Sequence, residues 1–98
     1  MTGSRSRSNY SGPAVIIDEY DGIVPVLCSF EIVRASIDGM DSPVSWSGDF
    51  SVREPADEVT PGSVAMLRLP SGAAGSIVVT SAVGGRGSFT GSGEPPRI

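Results

Sequence analysis

Few side chains in this 98-residue chain could do chemistry, and the missing ones narrow the choice as much as those present. There is no histidine, and all seven cationic side chains are arginine. The usual general base near neutral pH, the imidazole metal ligand and the Schiff-base amine are therefore absent together. A Ser-His-Asp or Cys-His machine cannot be built within one chain. The single cysteine, Cys28, excludes an internal disulfide and a cysteine-rich zinc site. Within an apolar run it reads as a small core residue. Carboxylates gather at Asp18, Glu19 and Asp21, and again at Asp38 and Asp41. Neither group has the spacing of a calcium loop, so both read as solvated turn acids and no metal is expected. Gly84-Gly85-Arg86-Gly87 and Gly91-Ser92-Gly93 look like phosphate loops, but no helix follows whose N-terminus could face an anion. They read as turn and bulge glycines.

The remaining candidates are aromatic and apolar. Trp46, Phe30, Phe50, Met66 and Phe89, with Cys28 beside them, could wall a cavity for an apolar small molecule. Gly48, Gly91 and Gly93 remove side chains at positions that should face inward, which suits either a bend or a hollow. Glu19 either sits in water at a strand end or lines the mouth of that cavity. Core packing is the alternative for Trp46. A site of this kind would act by holding a flexible chain in a reactive shape, with no cofactor.

These residues must be positioned by strands, because period-two alternation dominates the chain. Asp21-Gly22 separates Val15–Tyr20 from Ile23–Arg34 and predicts a two-residue hairpin turn. That turn sets Ile17 opposite Val26 and Val15 opposite Cys28. Its inward face is Val15, Ile17, Val24, Val26, Cys28, Phe30 and Ile32. Pro25, on the other face, calls for an edge or a bulge. Val44, Trp46, Gly48, Phe50 and Val52 alternate with polar residues in the cleanest half-buried strand. Ala65, Leu67 and Leu69 face Ile77, Val79 and Val83 across a five-residue loop, with Leu69 opposite Ile77. Phe89 faces the core only if the last hairpin has a three-residue or bulged link, which sets it beside Ser81. Arg53–Gly62 reads as loop. The expectation is an all-β domain of about six antiparallel strands, closed as a small β-barrel or packed as a two-layer β-sandwich.

Residues 1–9 are polar and without period, and read as a disordered arm before a single domain at 10–98. Charged residues make up 18% and the net charge is −4, with the arginines scattered, so no nucleic-acid partner is expected. No apolar run approaches the ~20 residues of a membrane helix. The free thiol and the absence of a signal-like apolar segment point to the cytoplasm. Arginine without lysine, with abundant glycine and alanine, is a composition that a high-GC genome writes.

The order Tyr10-Ser11-Gly12-Pro13-Ala14, Phe30-Glu31, Ile37-Asp38-Gly39, Trp46-Ser47-Gly48, and Gly87-Ser88-Phe89-Thr90-Gly91-Ser92-Gly93-Glu94-Pro95-Pro96 resembles a small actinobacterial all-β domain of unknown function. That domain occurs alone or appended to flavin-dependent monooxygenases. Ser36 and Ser45 stand where the family tends to have proline and histidine. The resemblance implies an actinobacterial setting and secondary metabolism, and no assigned reaction. Two functions are then expected. One is a cofactor-independent cyclase or isomerase acting on an apolar, polyketide-like ligand. The other is a non-catalytic interaction module, homodimeric or partnering a flavin enzyme. The second is supported by apolar residues on the outer face: Ile16, Leu27, Val33, Met66 and Val78.

Overall fold

The computed structural model describes residues 3–20, 22–37, 40–41, 45–53 and 59–98, with side chains at 7–20, 22–34, 45–53 and 59–98. Its strands are β1 (Gly3–Ile17), β2 (Ile23–Ile37), β3 (Met40–Asp41), β4 (Ser45–Val52), β5 (Val64–Arg68), β6 (Ala74–Val83) and β7 (Arg86–Gly91). Antiparallel pairing runs β1-β5-β6-β7-β4-β2 and returns to β1, so six strands close a barrel. β3 only extends the far end of β2. One sheet wraps on itself, and the sandwich alternative is set aside. Among the described residues no helix is long and apolar enough to cross a membrane.

Successive barrel strands are neighbours except β4 and β5. β4 lies between β2 and β7, whereas β5 lies between β1 and β6. On the β5 side of the connection joining them, Val59 packs on the core. Alternation then decides what fills the interior. β2 sends in Val24, Val26, Cys28, Phe30 and Ile32, and β4 sends in Trp46 and Phe50. Leu67, Ile77 and Val79 are 0% exposed. Burying each such side chain contributes about 1.5–3 kcal/mol.

The β1–β2 register differs from the two-residue turn. Ile17 pairs with Ile23, Ala14 with Val26, and Gly12 with Cys28. The offset of three residues is odd, so the strand changes face. Ala14 and Ile16 point inward, while Val15 and Ile17 are only partly buried. Asp18 is the cause. Its carboxylate accepts the Tyr20 N–H at 2.9 Å and the Gly22 N–H at 2.7 Å, and its own N–H donates to the Gly22 carbonyl at 2.9 Å. An aspartate that bonds the backbone a few residues on makes a turn of its own. The loop is therefore Asp18–Gly22, and Asp21 lies outside the described residues. Pro25 sits just past the last β2–β4 pair, and its carbonyl accepts the Arg53 N–H at 3.1 Å.

Two further registers shift. Ala65, rather than Leu69, pairs with Ile77. That offset is even, so the inward faces stand. The loop is tighter than five residues: Leu69 N–H donates to Ala73 at 2.8 Å, and Gly72 adopts φ +95°. In the last hairpin Gly84 and Gly85 form a true two-residue turn, with φ +62° and +79° and Val83 opposite Arg86. The phase is corrected inside β6 by a bulge between Val79 and Ser81. Phe89 still faces the core, but beside Val79 and not Ser81, and Val83 is 83% exposed rather than inward.

Residues 3–9, expected as a disordered arm, are the first half of β1, paired with β2 as far as Ile37. β4 covers only Val26–Val33 of β2, and β5 only Val15–Ile17 of β1. A two-stranded ribbon therefore extends past the barrel, and the molecule measures 51 × 25 × 21 Å. Arg7 Nε lies 3.4 Å from Glu31 Oε1 across this ribbon. Asp38 and Val44 fall outside the described residues, as does the side chain of Asp41.

Candidate functional site

β4 carries the site's central residue. Trp46 is 4% exposed and meets Phe30 and Phe89 edge-on, with centroids 5.6 and 6.0 Å away. Phe30 and Phe89 are 6.4 Å apart, and Phe50 lies 6.4 Å from Phe89. Tyr10 stacks on Phe30 from the ribbon side at 5.4 Å, with its hydroxyl donating to the Pro13 carbonyl at 2.6 Å. Offset and edge-to-face pairs of this kind contribute about 0.5–1.5 kcal/mol beyond their buried area.

The inward glycines explain how such large rings fit. A Cβ on Gly91 would overlap the Trp46 indole, and one on Gly75 would lie 2.8 Å from Trp46 Cζ2. A Cβ on Gly48 would strike Phe30 and the Ser29 carbonyl, and one on Gly87 would strike Phe50. The space that the glycines leave is thus filled by the chain's own aromatic rings. The C-terminal segment closes over them. Trp46 Nε1–H donates to the Gly93 carbonyl at 3.1 Å, and Pro96 is fully buried against Gly75.

Of the expected cavity wall, the fold brings together Trp46, Phe30, Phe50 and Phe89, and Cys28 joins the same core. Met66 is not with them. β5 turns Ala65 and Leu67 inward and leaves Met66 outside at 43% exposure. Glu19 is exposed in the Asp18–Gly22 loop. With Ile16, Val24, Thr60 and Ala65 it borders a hollow of about 120 Å³ at the barrel end. Ligand pockets usually measure about 300–1,000 Å³. A roomier groove, about 600 Å³, lies open on the outer wall among Ser29, Ser47, Asp49, Ser88 and Thr90. Among the described residues no three His, Cys, Asp or Glu side chains are grouped to hold a metal ion.

Burial pushes the Cys28 thiol from 9.0 up to about 11, so it is not a thiolate nucleophile near neutral pH. Tyr10 is also raised, first by desolvation and then by the nearby Cys28 charge. A folded-state value above the unfolded one stabilises fully below the unfolded pKa and is lost as pH climbs through the folded pKa. For Cys28 that window runs from pH 9 to 11. The loss is about 2–3 kcal/mol. Urea unfolding at pH 7, 9 and 11 should show the wild type losing this advantage over Cys28→Ala; equal pH slopes for the two proteins would refute the burial account.

On the outer face Leu27 and Met66 lie where the interaction reading puts them, while Ile16 and Ile17 exchange sides. Ile16, expected outside, is 1% exposed, whereas Ile23, Leu27, Val64 and Met66 are 57%, 51%, 51% and 43% exposed. Ile17 joins them, pairing with Ile23 on one side and Met66 on the other. The signal was Asp18 with Gly22 four residues on, which sets the face that Ile17 shows. No family model, curated protein or solved structure matches this chain.

Proposed function

We propose that the protein is a non-catalytic interaction module that assembles as a homodimer through the outer face of β2, β1 and β5. The observation that carries this reading is the apolar row Ile23, Ile17 and Met66, with Leu27 and Val64 also exposed on that face, on the outside of a barrel whose inside is already filled. Contiguous exposed apolar surface of this kind marks a docking site. Charge identifies the occupant. Asp18 and Glu19 lie past one side of that row, while Arg68, opposite Val15, and Arg53, bonded to Pro25, lie past the other, between the row and Leu27. A two-fold axis through Ile17 and Met66 lays each acidic end on an arginine end, so the face complements itself. A domain this small buries only about 60% or a little more of its unfolded surface, and a second copy supplies further apolar burial.

Sedimentation velocity tests the proposal. The wild type should sediment at twice the 10.0 kDa chain mass. Ile23→Glu and Met66→Glu should each sediment as single chains with the wild-type circular dichroism spectrum. A wild type that stays monomeric at every concentration reached overturns the reading.

A further inference from the structure

Tyr20 is the most exposed large apolar residue described, at 90%, and it lies in the Asp18–Gly22 loop. Asp18 accepts two backbone N–H groups of that loop, and Glu19 precedes Tyr20, so the tip presents an exposed aromatic beside acids. A groove of about 510 Å³ lies farther along the same strands, past the Val15–Arg68 pair of β1 and β5. Its floor includes Pro13, Val15, Pro25 and Pro70, and Arg53 and Arg68 line it. Among the described residues no carboxylate pairs with either arginine. Arginine beside an apolar floor suits a tyrosine ring by stacking and suits carboxylates by charge.

We infer that each protomer inserts its Tyr20 tip between Arg53 and Arg68 of its partner, a contact that deepens the homodimer reading and rests on it. The spacing supports reciprocity. Val15, in the groove, is two residues from Ile17, about 7 Å along the strand. Tyr20 lies beyond Ile17 in the opposite sense. Ile17, Ile23 and Met66 therefore sit between groove and tip, where the two-fold axis must pass. One rotation then closes three contacts at once: tip to groove, groove to tip, and the apolar row on its own copy. Apolar burial holds the pair, and the two tips set its register and exclude copies docked in other orientations.

Charge exchange tests this directly. Glu19→Arg places arginine against Arg68, and Arg68→Glu places glutamate against Glu19, so each variant alone should dimerise at least about tenfold more weakly. Mixed in equal amounts, the two should form a heterodimer of near wild-type affinity, because both reciprocal contacts are again complementary. Tyr20→Ala should weaken the wild-type dimer to a similar degree, and added salt should weaken it further. Oxidising a Glu19→Cys/Arg68→Cys double variant should yield a covalent dimer, since a disulfide needs Cα atoms within about 7 Å. Cys28 is buried and does not compete. Wild-type dimers indifferent to all of these changes would overturn the tip-in-groove contact while leaving the homodimer standing. A monomeric wild type would remove both.

Discussion

Replacing Trp46 with alanine should cost about 3–5 kcal/mol of unfolding free energy, because it empties a packed interior and not a pre-existing hollow. Domains of this size are stable by about 5–15 kcal/mol, so the variant should be partly unfolded at 37 °C or close to it. The indole touches Phe30 and Phe89 and is 4% exposed. Its loss also removes the donor that holds Gly93, and with it the segment that carries buried Pro96. Urea titration followed by circular dichroism measures the loss. A cost near 1–2 kcal/mol would mean that the ring borders an empty space, and would return the ligand-cavity reading to first place. Trp46→Phe keeps much of the ring contact but orphans the Gly93 carbonyl. It should cost less than alanine and should raise amide exchange in residues 92–94 more than in β4. In the wild type the single tryptophan should emit blue-shifted fluorescence that acrylamide hardly quenches.

Gly91→Ala should be almost as damaging, although it adds one methyl group. The new carbon would occupy the position of Trp46 Nε1 and its neighbours, and neither β7 nor a buried indole can step aside cheaply. Overpacking of a filled core costs typically about 1–3 kcal/mol, occasionally more. Here the clash is with a rigid ring, so the upper end is expected. Non-additivity makes the test specific. Trp46→Leu with Gly91→Ala should be less destabilised than the sum of the two single variants, by about 1 kcal/mol or more, since leucine vacates the space that the methyl needs. Strict additivity would show that Gly91 is required for some other reason.

The strand-borne part of this site was legible in the sequence, and the hairpin-borne part was not. Trp46 and Phe50 alternate with polar residues, so one register buries both and no other does. The barrel expectation held, although β4 and β5 are not the neighbours that a run of hairpins implies. Ala14-Val15-Ile16-Ile17 is apolar on both faces, so burial alone cannot choose which pair enters the core. The choice falls to the turn, where two backbone hydrogen bonds donated to the Asp18 carboxylate outcompete the Asp-Gly signal. Once β1 turns over, Ile17 becomes surface and lies between Ile23 and Met66, so one misread turn hides the middle of the apolar row. In the last hairpin, Gly84-Gly85 was the correct turn, but the correction came from a bulge several residues away in β6, which no local signal marks. The glycines had two readings, bend or hollow. Their partners, Trp46, Phe30 and Phe50, come from other strands, so only the folded structure could give the answer.

The barrel closes through three residue pairs between β1 and β5, Val15–Ile17 against Met66–Arg68. The other barrel ladders are longer, and this one joins segments about fifty residues apart in the chain. Bringing such distant segments together costs loop entropy before any contact is made, so the seam should form last in folding and open first in the native state. Amide hydrogens at this seam should exchange by sub-global opening, well before those in the β6–β7 and β2–β4 ladders. Each opening frees the β1 edge of the β1–β2 hairpin, while β2 stays paired with β4. At high protein concentration the β5 edge of a neighbouring opened barrel can accept that edge across the same three pairs. The short closure thus makes β1-to-β5 pairing between chains the characteristic route by which this fold would misassemble.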